Sequence, residues 1–231
     1  MKIPVSIIRC PTCHSDKITN INKNLNCGNC STVFLIENEL PVLFCSKKSQ
    51  VLYENYLEKK GKNWIDLSLE SISFRRKKIK TPFKTLNRIL NFIRYPYLAT
   101  PAPPSFVDLH KKYSEGGHVL SLSGGSTSPD LEGWINMDIL DYKTVDTLGD
   151  ALNLPFNDNV FDFITSNSSL EHIPDYQKVI DECYRVLKPG GVFYLCVPLV
   201  CRQHHIHDYQ RWTIPGLKLV MKDFIIIDNG V

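Results

Sequence analysis

The chain has 231 residues, 43% of them hydrophobic and 22% charged, with a formal net charge of +3. That is length for one large domain or two ordinary ones and apolar content enough to bury a core, which excludes a disordered chain. The charge is too small to imply a nucleic-acid or membrane partner for the chain as a whole.

The longest apolar stretch, Val192 to Cys201, is half of the roughly 20 residues that a membrane-spanning helix needs, and it contains Pro198. No transmembrane segment is therefore expected. The opening MKIPVSIIRC lacks the apolar run and cleavage site of a secretory signal. Four of the eight cysteines fall in two CxxC units, a pattern that favours metal in a reducing compartment over a disulfide framework, so a cytoplasmic protein is expected.

Cys10-Pro-Thr-Cys13 and Cys27-Gly-Asn-Cys30 are separated by thirteen residues. Two tight turns, each presenting two thiolates, suit tetrahedral zinc at about 2.3 Å per sulfur. A segment of about 40 residues seldom folds unaided, so the zinc expected here is structural, with closed coordination. A redox dithiol pair and buried free thiols are the alternatives, and His14 either replaces one thiolate or sits at the surface. Thr32 to Glu37 and Glu39 to Phe44 read as short strands that complete a zinc ribbon over residues 1–46. On Cys10, Pro11, Cys13, Cys27, Cys30, Pro41, Val42 and Leu43 this segment resembles the small ribbon family typified by activator subunits of tRNA and protein methyltransferases. The resemblance covers about a fifth of the chain and implies an interaction module with a protein partner.

Residues 47–104 read as a helical connector and linker; from about Ser49 to Asn91 the period turns helical, with Leu52, Tyr56 and Leu57, then Phe83, Leu86, Ile89, Leu90 and Ile93 forming apolar stripes. Eight basic residues (Arg75, Arg76, Lys77, Lys78, Lys80, Lys84, Arg88 and Arg94) lie between Arg75 and Arg94 with no acid among them. Such a stretch is either a solvated face or a contact for an anionic membrane surface, RNA or an acidic protein. Thr100-Pro-Ala-Pro-Pro-Ser105 then makes a stiff linker.

From residue 105 to 231 strand-like runs alternate with helix: His118 to Leu122, Trp134 to Ile139, Thr144 to Leu148, Val160 to Ser166, a helix over Asp175 to Leu187 closed by Lys188-Pro-Gly-Gly191, then Gly191 to Val197. This order predicts an α/β fold with a mostly parallel sheet, whose ligands lie beyond the carboxyl ends of the strands. The first strand ends in Ser123-Gly124-Gly125, where glycines allow close backbone approach. The second ends in Asp138, placed to accept from two ribose hydroxyls or to cap a helix. The third leads to Asp150-Ala151-Leu152, an adenine contact or a turn. The fourth runs through Asn167 into Leu170-Glu171-His172.

In order, Leu154-Pro-Phe, Phe161-Asp162, Leu170-Glu-His172 and Arg185-Val-Leu-Lys-Pro-Gly-Gly191 resemble the class I S-adenosylmethionine-dependent methyltransferases over residues 105 to 230. The resemblance implies a Rossmann-like domain and S-adenosylmethionine as cofactor. It places the methionine part at Ser123, Gly124 and Gly125, the ribose at Asp138 and the adenine at Asp150 and Ala151, with Asn167 also on the cofactor. The chain departs from the family at Ser121, where an acid is frequent, and at Ser123 and Thr127, where glycine is usual. About eight residues join Gly125 to Trp134, so the first crossover helix shrinks to one turn or an extended loop. The strand-like Asp223-Phe-Ile-Ile-Ile-Asp lies just before Val231, where a last antiparallel strand would be expected to follow. A short form or a C-terminal truncation accounts equally for that ending.

The segment Cys201 to Thr213 is dense in polar and aromatic groups, and its His207-Asp208-Tyr209-Gln-Arg211-Trp212-Thr213 phrase resembles relatives associated with cell-surface polysaccharide or glycolipid synthesis. The expected acceptor is a small-molecule, sugar or lipid-linked glycan hydroxyl. Its proton passes either to His207 paired with Asp208 or to His172 next to Glu171. The structural readings are His172 as a helix cap and an Asp208–Arg211 ion pair, while His204, His205 and His207 offer a metal alternative. A non-catalytic scaffold and an RNA methyltransferase are the two rival functions.

Overall fold

The computed structural model describes residues 2–45, 51, 106–114, 117–125, 128–129, 131–201, 203, 205 and 207–227. The basic stretch Arg75 to Arg94, the connector helices and the proline linker expected over 47–104 lie outside the described residues.

Four short strands build the N-terminal part: β1 (Ile18–Ile21), β2 (Asn24–Cys27), β3 (Val33–Glu37) and β4 (Leu40–Leu43). They pair antiparallel in sequence order. Ile21 faces Asn24 and Glu37 faces Leu40, which leaves the two-residue loops Asn22-Lys23 and Asn38-Glu39. All four loop residues have positive φ, between 51° and 68°. That is the backbone of two-residue hairpins, whose twist matches the strands, and asparagine tolerates it best among residues with a side chain.

The second part contains α1 (Phe106–Tyr113), β5 (Val119–Leu122), β6 (Trp134–Asp138), β7 (Thr147–Gly149), β8 (Phe161–Asn167), α2 (Tyr176–Val186), β9 (Leu187–Cys196) and α3 (Ile214–Val220). One nine-stranded sheet runs β1-β2-β3-β4-β7-β6-β5-β8-β9. From β4 onward every pairing is parallel. The Rossmann-like arrangement expected from the alternation is thus present, and its strand order reverses at β5, next to β8. That switch point is where such sheets bind ligands.

β4 joins the two parts. It is antiparallel to β3 on one side and parallel to β7 on the other, with Val42 opposite Leu148 and Leu43 opposite Gly149. The cysteine-bearing segment thereby covers what would otherwise be the open β7 edge, with its unpaired amides and carbonyls.

Alternation along β5, β6 and β8 separates two faces. Leu120, Leu122, Ile135, Met137 and Ile164 join one large core with Val179, Ile180, Cys183 and Val186 of α2. Ile3, Ile8, Leu25, Phe34 and Leu43 from the N-terminal part belong to that same core. The opposite face holds a smaller cluster of Val119, Trp134 and Phe163, with Tyr113 of α1 stacked on Phe163 at 6.0 Å.

Three local expectations change. The Lys188-Pro-Gly-Gly191 phrase does not sit between helix and strand: β9 starts at Leu187, and the phrase is an irregularity inside it. Phe161 faces Leu187 and Phe163 faces Val192, so the extra residues of β9 bulge outward, turning at Gly190 (φ 81°). The third strand starts at Thr147, because Val145 N bonds Tyr142 O, which closes a turn over 143–144, and the chain reaches β6 only at Asp146, whose N bonds Asn136 O. Asp223 to Ile227 forms no strand; Ile225 is 91% exposed there. The connection from Gly125 to Trp134 is loop and turn in its described residues, as its length requires.

Candidate functional site

The four cysteines of the two knuckles converge. Their sulfur atoms lie within 4.8 Å of one another, with Cys10–Cys30 at 3.7 Å and Cys13–Cys27 at 3.5 Å. A metal about 2.3 Å from each tetrahedral thiolate separates the sulfurs by a comparable distance, so the donor set fits one ion. It is the only such cluster among the described residues, and neither His14 nor the described His205 and His207 belongs to one. His204 lies outside the described residues. Two neighbours that the spacing did not single out support the sulfurs. Thr32 Oγ1 lies 3.1 Å from Cys30 and is the leading cause that brings its thiol down to about 6. Asn29 Nδ2 donates to Cys13 at 3.5 Å and lowers it likewise, whereas burial pushes Cys10 up to about 12. Hydrogen bonds of this kind orient ligands and favour the thiolate that a metal needs.

The knuckle is bonded directly to the loop that follows β7. Asn153 Nδ2 donates to Pro11 O, Arg9 N to Pro155 O and Asn157 N to Ile7 O. Ile8 and Phe156 form an antiparallel bridge, and Thr147 Oγ1 donates to Pro41 O at 3.0 Å. Arg9 Nη1 and Arg185 Nη1 both reach Asp158 Oδ1 at 2.7 Å. Their two positive charges hold the Asp158 carboxyl below its usual range, the Arg185 hydrogen bond being the larger cause.

At the sheet's carboxyl edge the glycine loop and Asp138 meet. Ser123 (φ 54°) and Gly125 (φ 54°) both turn in the left-handed region, which costs a serine more than the glycine usual there. Gly124 admits no side chain, since a Cβ would lie 2.3 Å from Ser121 Oγ and 2.7 Å from Asn136 Oδ1. Asp138 is 7% exposed; its Oδ2 accepts Gly125 N at 3.1 Å and its Oδ1 accepts Leu140 N at 3.1 Å. Burial raises its carboxyl, and these amide bonds pull the other way. Asn136 and Thr144, absent from the expected set, hold Gly125 O from the other side, at 3.0 Å and 2.8 Å. The signal for them was the polar Asn136 within an otherwise apolar strand.

Asp150 closes its own turn: Oδ1 accepts Leu152 N at 2.9 Å, and its carbonyl accepts Asn153 N. Ala151 is half-buried beside it. Asn167 is exposed at the end of β8, followed by Ser168 at φ 50°. These residues and the glycine loop occupy the ends of four adjacent parallel strands or the turns directly after them, so the structure gathers the expected cofactor set on one edge.

His172 follows on a short 3-10 turn (Leu170–His172). Its Nδ1 lies 2.7 Å from His207 O; a carbonyl only accepts, so Nδ1 carries the proton. The rings of His172, His205, His207 and Tyr209 follow one another at centroid spacings of 5.5, 5.6 and 6.1 Å. The expected His207–Asp208 pair does not form. Asp208 is clamped by both terminal nitrogens of Arg211, while His207 Nδ1 meets Tyr209 Oη at 2.9 Å. A bidentate guanidinium outcompetes a single imidazole for the same carboxylate. Glu171 is fully buried, neither of its side-chain oxygens has a hydrogen-bond partner among the described residues, and Oε1 lies 3.9 Å from His172 Nε2.

Two motif residues act on structure. Asp162 takes Lys188 Nζ at 2.8 Å and His118 N at 2.9 Å, pinning the β9 bulge to the start of β8. Arg185 bonds Leu154 O, Phe156 O, Glu182 and Asp158. The explanation of the motif is therefore mechanical: its arginine reads the backbone of the Leu-Pro-Phe turn.

No helix of the described residues is long and apolar enough to cross a membrane. Demethylmenaquinone methyltransferase of Listeria welshimeri is 56% identical over 76 residues, 33% of this chain and 28% of that protein. The Staphylococcus epidermidis protein of the same name is 54% identical over 44 residues, 19% of this chain and 18% of its own. The chain thus spans less than a third of the length of these curated relatives. Among solved structures, a chain of the Haloferax volcanii complex containing the Trm112 methyltransferase activator aligns at a TM-score of 0.41 and 22% identity, over 59% of this chain and 68% of its own. Residues 135–195, from β6 into β9, match the methyltransferase domain family.

Proposed function

We propose that the chain is an S-adenosylmethionine-dependent methyltransferase with a structural zinc at Cys10, Cys13, Cys27 and Cys30. The observation that carries the reading is Asp138: a buried carboxylate at the end of β6, bonded to the glycine loop at the switch point of the sheet, inside the segment that matches the methyltransferase domain family. Ser123, Gly124 and Gly125 take the methionine part, Asp138 the ribose, and Asp150 with Ala151 the adenine, while Asn167 borders the cleft.

When bound, S-adenosylmethionine supplies an electrophilic methyl group on a sulfonium. The protein's task is to hold an acceptor atom in line with it and to take the acceptor's proton. His172 donates Nδ1–H to His207 O, so Nε2 is the ring nitrogen that would take the proton. The imidazolium formed is stabilised by the buried Glu171 carboxylate at 3.9 Å. His207 serves His172 through its carbonyl, and Asp208 with Arg211 fixes the loop that carries it.

The ring series His172, His205, His207 and Tyr209 offers stacking and polar edges to the acceptor. Together with the phrase His207 to Thr213, it supports a sugar or lipid-linked glycan hydroxyl. The names of the matched relatives favour a second reading, demethylmenaquinone as the acceptor, and an acceptor panel containing both classes separates them. Loss of the base in His172→Ala should lower kcat on the acceptor so found by about 100-fold or more, with cofactor affinity unchanged. A kcat within threefold of the parent would remove His172 from the mechanism.

Calorimetric titration of the zinc-loaded protein with S-adenosylmethionine and S-adenosylhomocysteine tests the cofactor site. Two hydrogen bonds from ribose to a carboxylate, at about 1.5 kcal/mol each, make Asp138→Ala about 100-fold weaker. A well-folded parent protein that binds neither ligand would instead be a scaffold.

A further inference from the structure

The glycine loop lacks features that ordinarily shape it, since Ser121 and Ser123 stand where an acid and a glycine are usual. Its shape is nevertheless held, by a residue on the neighbouring strand. Asn136 is 1% exposed in the middle of β6, directly opposite Ser121 of β5. Its Nδ2 donates to Gly125 O at 3.0 Å and to Thr144 O at 3.0 Å, and lies 3.3 Å from Thr144 Oγ1. Thr144 Oγ1 in turn donates to Gly125 O at 2.8 Å. The third hold on Gly125 is its own N–H on Asp138 Oδ2. The strand segment is itself anchored, because Asn136 N donates to Asp146 Oδ2 and Asp146 N donates to Asn136 O, both at 2.8 Å.

We propose that Asn136 is a positioning residue for the methionine half of the cofactor, its side-chain amide fixing the Gly125 carbonyl and tying the glycine loop to Thr144. The inference rests on the cofactor reading above. Asn136 Oδ1 is buried, has no hydrogen-bond partner among the described residues and lies 2.7 Å from the position a Gly124 Cβ would take. The amide therefore sits directly beneath Gly124 and makes no use of its oxygen there, so its function lies in the two N–H donors. An asparagine sunk in a sheet for packing alone would leave both ends a burden, whereas this one spends its donors on the loop. The clamp acts on residues 124 and 125; the nucleoside contacts at Asp150 and Ala151 lie on a different turn, and Asp138, which meets Gly125 N, is held independently by Leu140 N at 3.1 Å. Loosening it should consequently disturb one half of the ligand and spare the other.

Two probes separate those halves: S-adenosylhomocysteine, and 5′-methylthioadenosine, which keeps the nucleoside and the thioether but lacks the amino-acid part. With zinc-loaded full chain, Asn136→Ala and Thr144→Val should each weaken S-adenosylhomocysteine by tenfold or more and change methylthioadenosine by less than twofold. Thr144→Ser, which keeps the hydroxyl donor, should retain the parent affinity for both. Equal weakening of both probes, or of neither, overturns the proposal. Should Asn136→Ala fail to fold, the half-buried Thr144 variants decide the matter alone. A parent protein that binds neither probe fails the cofactor reading itself, a result distinct from a parent that binds both and variants that follow it.

Discussion

Chelating the metal, or replacing Cys10 by serine, is expected to unfold residues 2–45 and to lower the melting temperature of the whole chain by more than about 10 °C at neutral pH. The N-terminal part has too few residues for a core of its own; Ile3, Ile8, Leu25, Phe34 and Leu43 are buried in the core shared with α2 and the parallel strands. Structural zinc contributes roughly 10 kcal/mol or more in isolated fingers, and about 1 kcal/mol moves the midpoint of a chain this size by about 2–4 °C. Without the ion, β4 keeps only its ladder to β7, the Thr147–Pro41 bond and its share of the core, and as these give way Leu148 and Phe156, both fully buried, meet water. Calorimetry with and without chelator checks this. A midpoint that stays in place, with two transitions, would mean that the ribbon melts independently of the sheet.

Arg185→Met should destabilise the protein by about 2–3 kcal/mol, read from urea unfolding. The methionine keeps most of the apolar stem and removes the fork that satisfies Leu154 O and Phe156 O while pairing with Glu182 and Asp158. Arg185 and Glu182 are 19% and 17% exposed, so the pair is screened less than a surface bridge yet more than one in a dry interior. Arg185→Lys should recover little, because an ammonium cannot present four donors in a plane. A loss below about 1 kcal/mol would mean that the ribbon strand, through Arg9 and the Ile8–Phe156 bridge, holds the turn without it. The same node gives a pH dependence. Asp158 is held below its usual range, so its contribution is present above the ordinary carboxylate pKa and is lost as pH falls through the lowered one.

Much of this was legible along the chain, where the signal is local. CxxC spacing specifies a two-knuckle cluster because the ligands of each knuckle are three residues apart, and the sulfurs do converge. The apolar runs ending in Ser123, Asp138 and Asn167 became parallel strands because each is short, buried and followed by a polar turn. Errors arose where a local signal had two meanings. Lys188-Pro-Gly-Gly191 reads as a helix stop, yet Lys188 paired with Asp162 turns it into a bulge within a strand. Asp208 reads either as a dyad with His207 or as a partner of Arg211, and it is Arg211, three residues along, that takes both oxygens.

Sequence alone determined the four converging cysteines, the alternation that makes a parallel sheet, and the acid at the end of its second strand. These depend on residue type and on spacings of a few residues, which the backbone's two periodicities translate directly into position. Tertiary structure alone decided that β4 completes the sheet beside β7, that Pro11 meets Asn153, that Asn136 grips the glycine loop, and that His172 turns Nδ1 to the His207 carbonyl. Each of those depends on contacts between segments far apart in the chain or on which of several donors reaches an acceptor first. Such choices are set by how the whole core packs, and no stretch of residues carries them by itself.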